Sequence, residues 1–152
     1  MRISKTNLIV ENIKSFIMEN LPDYRASLLE ESVDYTLPDI AEWKTGYLDV
    51  FSMRFYPCII IGVGKTTPSE MYSDFYDVDI VFCNKNGSKE ELIKQGYLYS
   101  DILYHMFRSN HSLGGVALNT EVLDREHFEG DEIFISNITL RVEVEEGEYK
   151  ND

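Results

Sequence analysis

Basic residues are scarce in this chain: 14 lysines and arginines stand against 27 aspartates and glutamates, a formal net charge of −13. A tight nucleic-acid binder presents a basic stripe, and an anionic membrane surface attracts one, so the composition argues against both partner classes. Long apolar runs are missing too. None approaches the roughly 20 residues that cross a bilayer. The opening stretch, MRISKTNLIVENIKSF, is interrupted by Glu11 and Lys14 and lacks a small-residue cleavage site, so it is not read as a secretory signal. Cysteine is limited to Cys58 and Cys83. Both lie in apolar, strand-like runs, which predicts two reduced, buried thiols in a cytosolic protein. A bridge between neighbouring strands is the weaker alternative on the compartment argument. No Cys-x-x-Cys, His-Glu-x-x-His or Gly-x-Ser-x-Gly motif occurs, so no cofactor, metal or catalytic residue is assigned.

What is present favours a folded domain. Hydrophobic residues make up 43 % and aromatics 12 % of 152 residues. That is enough for one core, and residues 1–152 read as a single domain. The organising stretch is Ser88–Gly115, which reads as one long helix with a glycine stop. Ser88 and Glu91 have the spacing of a capping box, in which each side chain satisfies the other's backbone amide. Leu92, Tyr99, Ile102, Leu103 and Met106 recur on one helical face. Gly96 shares that stripe. A mid-helix glycine costs roughly 1 kcal/mol against alanine, so it predicts close approach of another backbone.

Before this stretch, Ser4 or Thr6 can cap a first helix with Leu8, Ile9, Ile13, Phe16 and Ile17 on its apolar face. Pro22 is expected to end it or to open a short second helix through Leu28 and Leu29. Residues 31–47 read as a connection, pinned to the core by Leu37, Ile40 and Trp43. The run CIIIGVG is continuous and β-branched, as in a strand buried on both faces. Residues Lys65–Ser73 read as a loop. In Asp74–Cys83, Tyr76, Val78, Ile80 and Phe82 alternate with Asp77, Asp79 and Val81.

After the glycines, Val116–Leu123 alternates again, Arg125–Asp131 reads as a polar hairpin connection, and Ile133–Glu145 as a strand. In that last strand Ile138, Leu140, Val142 and Val144 point inward, with Phe134 on the same parity. The extra apolar residues Ile133 and Ile135 mean either a second covered face or a bulge near Ser136 and Asn137. The tail EGEYKND is expected to fray. The order α-β-β-α-β-β, without regular βαβ alternation, predicts an α+β fold. Its sheet is mostly antiparallel, with the long helix and the N-terminal helix packed on one face.

Two lures point towards enzymes. Gly62-Val-Gly-Lys-Thr-Thr67 resembles half of a phosphate-binding loop, but Ile59 stands where the first glycine belongs, and Pro68 and Glu70 interrupt the helix that should follow. A turn between strands is the better reading. Asp77 and Asp79 share a strand face, as carboxylates do in two-metal sites, but no third carboxylate can be assigned. A small metal-dependent enzyme using this pair is therefore the remote alternative, and a solvent-facing acidic stripe or subunit contact the plainer one. His105, His111 and His127 have no same-face metal spacing. The 10 tyrosines are more informative. Tyr97, Tyr99 and Tyr104 wrap around the long helix and cannot all face one core. Tyrosine suits protein–protein surfaces, which favours an assembly protein over an enzyme.

Three segments together resemble the phage and prophage tail terminator (tail completion) proteins: YPCIIIGVG with DVDIVFCNKNG, ELIKQGYLYSDILYHMF with NHSLGGVALNTEVLD, and ISNITLRVEVEE. The resemblance covers roughly residues 50 to 146 and is architectural. The insert 24–44 has no counterpart in it. It implies a non-enzymatic virion protein of the tail–neck region, assembled in the host bacterial cytoplasm. Such proteins form a homo-oligomeric ring, commonly a hexamer, on the head-proximal end of the tail tube. The ring ends polymerisation of the tail tube protein and joins a head–neck connector protein. DNA passes through the lumen without specific binding, and no membrane is involved. Another head–tail connector, such as a head-closure or tube-like protein, is the nearest alternative. Interface candidates are Tyr97 and Tyr104 on the helix, Lys65, Thr66 and Thr67 in the first loop, and Arg125, His127 and Phe128 in the second. Asp77, Asp79, Glu143 and Glu145 are the acidic candidates for a lumen or ring contact.

Overall fold

The computed structural model describes residues 5–31, 37–46, 49–68 and 73–145. The expectations for Ser4, for the loop tip 69–72 and for the EGEYKND tail lie outside them. The chain is α+β: two helices and a five-stranded, mostly antiparallel sheet. In chain order these are α1 (Lys5–Glu31), β1 (Glu42–Thr45), a 3-10 turn at Val50–Ser52, β2 (Cys58–Pro68) and β3 (Ser73–Lys85). Then come α2 (Lys89–Ser109), a second 3-10 turn at Leu113–Gly115, β4 (Asn119–Glu129) and β5 (Ile133–Glu145). The sheet order is β1-β2-β3-β5-β4, with β1 parallel to β2 and every other pair antiparallel.

One core joins the helices to one sheet face. Ile9, Ile13, Phe16 and Ile17 of α1 and Leu92, Tyr99, Leu103 and Met106 of α2 are buried with Ile59, Ile61, Val78, Ile80, Phe82, Ile138 and Leu140. The helical stripe read from the sequence is therefore the buried one. Phe82 stacks on Tyr99 with ring centroids 4.7 Å apart. The Tyr99 hydroxyl donates to the Pro38 carbonyl, and burial pushes this phenol up to about 12. Leu37 is buried, and Ile40 and Trp43 pack on the same core.

Several sequence expectations are corrected. Pro22 neither ends nor restarts a helix, because α1 runs through it. Proline removes one backbone donor, here to the Met18 carbonyl. Pro22 and Met18 are both solvent-exposed, so water can take that carbonyl. Meanwhile buried Leu21, the Tyr24 hydroxyl bonded by Asn110 (2.9 Å) and the Arg25–Asp39 pair hold the next turn in place. The side chains of Leu28 and Leu29 lie outside the described residues. The connection 31–47 contains a strand that composition hid: EWKT pairs in parallel with Cys58–Ile61.

The capping box does not form. Ser88 makes no side-chain cap bond, and its amide is taken by Asn86 Oδ1 at 2.9 Å. The long helix ends at Ser109, earlier than the glycines. Gly114 and Gly115 serve the following turn, at φ +72° and +99°. Gly96 admits an aromatic ring rather than a backbone: a Cβ built there would stand 2.3 Å from Phe134 Cδ1. Lys65–Pro68 and Arg125–Glu129 are strand, not loop. Lys65–Pro68 pairs with Asp74–Asp77, and Arg125–Glu129 with Phe134–Ile138. Polar composition misled there because the ladder is made by backbone, and both segments lie in strands with an unpaired edge. The breaks in register are at Val63/Lys65 and Val122/Asp124, not near Ser136 and Asn137. Ile133 and Ile135 are instead covered on the outer face, with Cys58 and Cys83, by Val50, Met53 and Tyr56.

Two stability measurements follow. Gly96→Ala gains helix propensity worth about 1 kcal/mol yet meets the Phe134 ring, so net destabilisation of about 1–3 kcal/mol is expected in urea unfolding. A stabilised variant would show that the ring does not sit there. Pro22→Ala restores a helical amide at an exposed position and should raise the unfolding free energy by up to about 3 kcal/mol, and the urea midpoint with it. A lowered midpoint would contradict a continuous α1.

Candidate interaction surfaces

The outer sheet face carries the acidic candidates, and their placement follows from the period-2 alternation of β3 and β5. Asp77, opposite Arg141 in the ladder, binds its Nε at 3.1 Å. That bond and the Asp77 charge hold the Arg141 guanidinium above its ordinary value. Asp79, opposite Thr139, accepts its hydroxyl at 2.8 Å and the Asn137 amide at 3.4 Å. Glu143 accepts from the Ser73 hydroxyl at 2.8 Å. Glu145 is exposed at the end of β5. Asp77 and Asp79 are thus engaged by a guanidinium, a hydroxyl and an amide. Among the described residues, no three acidic, histidine or cysteine side chains gather as a metal-binding group. Glu121, Asp124 and Glu126 extend the acidic character across β4. Lys65, Thr66 and Thr67 are exposed on β2, beyond the reach of β1, so one edge of that strand segment is unpaired.

The other candidates meet along a seam between α2 and β4. The Val122/Asp124 irregularity turns Arg125, His127 and Glu129 onto the α2 side of the sheet, opposite Ile138, Ser136 and Phe134. Arg125 binds Asp101 at 2.9 Å and lies over the Tyr104 ring at 4.5 Å. Tyr104 also accepts from Arg108 at 2.9 Å. His127 Nε2 is 2.7 Å from Ser100 Oγ, which lies 3.0 Å from Ser136 Oγ. The Tyr97 hydroxyl donates to Glu129, which holds this phenol above its ordinary value.

A buried serine beside a histidine could suggest a nucleophile, but the geometry does not support one. Ser100 is fully buried in mid-helix, where a substrate cannot reach its hydroxyl. The seam is a docking joint within the chain. Tyr97 and Tyr104, read from sequence as facing outward, lie along this joint, although Tyr97 keeps 43 % of its surface exposed. Sequence reasoning missed Ser100 and Ser136, since serines on apolar parities carry no motif. Exposed apolar side chains are Phe51, Phe55, Leu118, Leu123 and Phe128, among others. Of these five, Phe128 alone was a sequence candidate. It lies opposite Ile135, on the outer face.

A search of protein-family models and a search of curated proteins both find no match to this chain.

The seam titrates. Partial burial, with the Arg125 charge, lowers the His127 pKa from its ordinary 6.5, against opposing pulls from Asp101 and Glu129. The folded state therefore disfavours the proton that the unfolded chain accepts. The His127 contribution is complete above about pH 6.5 and is lost as pH falls through the lower folded value. His127→Gln should flatten the decline in melting temperature between pH 7 and 5 relative to the parent chain. Parallel declines in the two proteins would remove His127 from the explanation.

Proposed function

We propose that this chain is a tail-terminator-like virion protein that works without catalysis, as a ring subunit on the head-proximal end of a tail tube. The observation that carries the reading is the sheet's two unlike faces. One is filled by the helices; the other, beyond the patch over the cysteines, carries Asp77, Asp79, Glu143 and Glu145. A long helix and an N-terminal helix on one sheet face is the arrangement that the family resemblance implies.

The physical case is electrostatic. A chain of net charge −13 that turns carboxylates towards a lumen repels DNA phosphates, so DNA slides without binding. Exposed Phe51, Phe55 and Phe128 provide apolar contacts for neighbouring subunits or the tail tube protein. Closure into a ring needs two different surfaces on one chain that meet head to tail. The unpaired edges of β2 and β4 are candidates for such a pair. Among the described residues, no helix is long and apolar enough to cross a membrane.

The test is arrest of tube growth. Tail tube protein is polymerised with and without this protein and followed by light scattering. The parent chain should stop elongation at substoichiometric amounts. A variant carrying Asp77→Asn, Asp79→Asn, Glu143→Gln and Glu145→Gln should lose assembly or, in the phage, infectivity. Unchanged assembly and infectivity would remove this face from the mechanism, and unarrested tubes with the parent chain would remove the function.

A further inference from the structure

Cys58 and Cys83 are directly opposite each other in the antiparallel β2–β3 ladder. Both are reduced and fully buried. Opposed residues in such a ladder have Cα atoms about 4.5–5.5 Å apart, inside the window of about 4.4–6.8 Å that a disulfide spans. The Cys83 thiol donates to the Val50 carbonyl at 3.7 Å. We infer that Cys58 and Cys83 form a dithiol–disulfide site, which a low-molecular-weight disulfide can oxidise to a bridge across the outer face of the sheet.

The chemistry balances. The Cys58 thiolate attacks one sulfur of the small disulfide and expels the other as a thiolate, leaving a mixed disulfide on Cys58. Cys83, its proton passed to solvent, attacks Cys58 Sγ and releases the second small thiol. Two protein thiols are oxidised and one disulfide is reduced. Cys58 is the first nucleophile because the Cys83 thiol hydrogen is held by the Val50 carbonyl.

Access is controlled by segment 49–57, whose Val50, Met53 and Tyr56 pack over the pair. The Tyr56 hydroxyl donates to the Val50 carbonyl at 2.8 Å and accepts the Met53 amide at 3.1 Å. Lys85 Nζ donates to the Phe51 carbonyl at 3.0 Å, and the Phe55 amide donates to Glu42 at 3.0 Å. A small disulfide meets the thiols only when this cover lifts, so oxidation is slow and follows its opening. A particle component made in a reducing cytosol and then released from the cell meets such an oxidant after assembly. That timing rests on the proposed function; the site itself does not.

The experiment incubates the intact chain with oxidised glutathione, quenches with acid and alkylates the remaining thiols in denaturant before intact-mass analysis. The expected product is two hydrogens lighter, unalkylated at both cysteines, monomeric, and gives one linked Cys58–Cys83 peptide in a non-reducing digest. Its melting temperature should rise above that of the reduced chain and return with dithiothreitol. Cys83→Ser should stop at a glutathione adduct on Cys58, and urea below the unfolding transition should speed the parent's reaction. Full alkylation of both cysteines after long incubation would overturn the inference. So would stable adducts on both sulfurs, or a bridge between two chains.

Discussion

The seat of the Phe134 ring against Gly96 sets how closely α2 approaches the sheet, and much of the remaining architecture depends on that spacing. The ring lies where a Cβ would be, with Phe82 at 6.4 Å and Tyr97 edge-on at 5.7 Å between centroids. With α2 this close, Tyr99 can stack on Phe82 and reach the Pro38 carbonyl. That bond ties down the chain just before β1. Closeness also brings Ser100 within reach of both Ser136 and His127. The polar seam with β4 is therefore a consequence of the same contact. Protein interiors pack densely enough that a single methyl group at such a place is felt.

The period-2 and helical stripes made most of the core legible in the sequence. Tyr76, Val78, Ile80 and Phe82 were assigned to one face, and they are buried there. What failed was punctuation. Pro22 looked like a terminus, but an exposed helix face tolerates a lost backbone bond when the residues beyond it are anchored. Lys65–Pro68 and Arg125–Glu129 looked like loops because their side chains are polar, and strand pairing depends on backbone. The Ser88–Glu91 box was lost to Asn86, whose carbonyl competes for the same amide.

The candidate surface was legible in a different proportion. Asp77, Asp79 and Glu143 lie on the outer face that alternation assigned to them. That each would find a hydrogen-bond partner in the neighbouring strand depends on register, which one strand's sequence does not contain. Tyr97, Tyr104, Arg125 and His127 were separate candidates in sequence, and the Val122/Asp124 irregularity brings them into one seam. The opposition of Cys58 and Cys83 is likewise a property of the β2–β3 register. Their burial was readable from the apolar runs around them, but their pairing was not.

The proposed function assigns the acidic outer face, the unpaired strand edges and the exposed aromatics to contacts with other subunits and the tail tube. The most direct measurement is electron microscopy of the purified protein, alone and with tail tube protein. The account predicts closed rings of uniform diameter, free or seated on one end of each tube. Monomers in both samples, with tube ends bare, would contradict it.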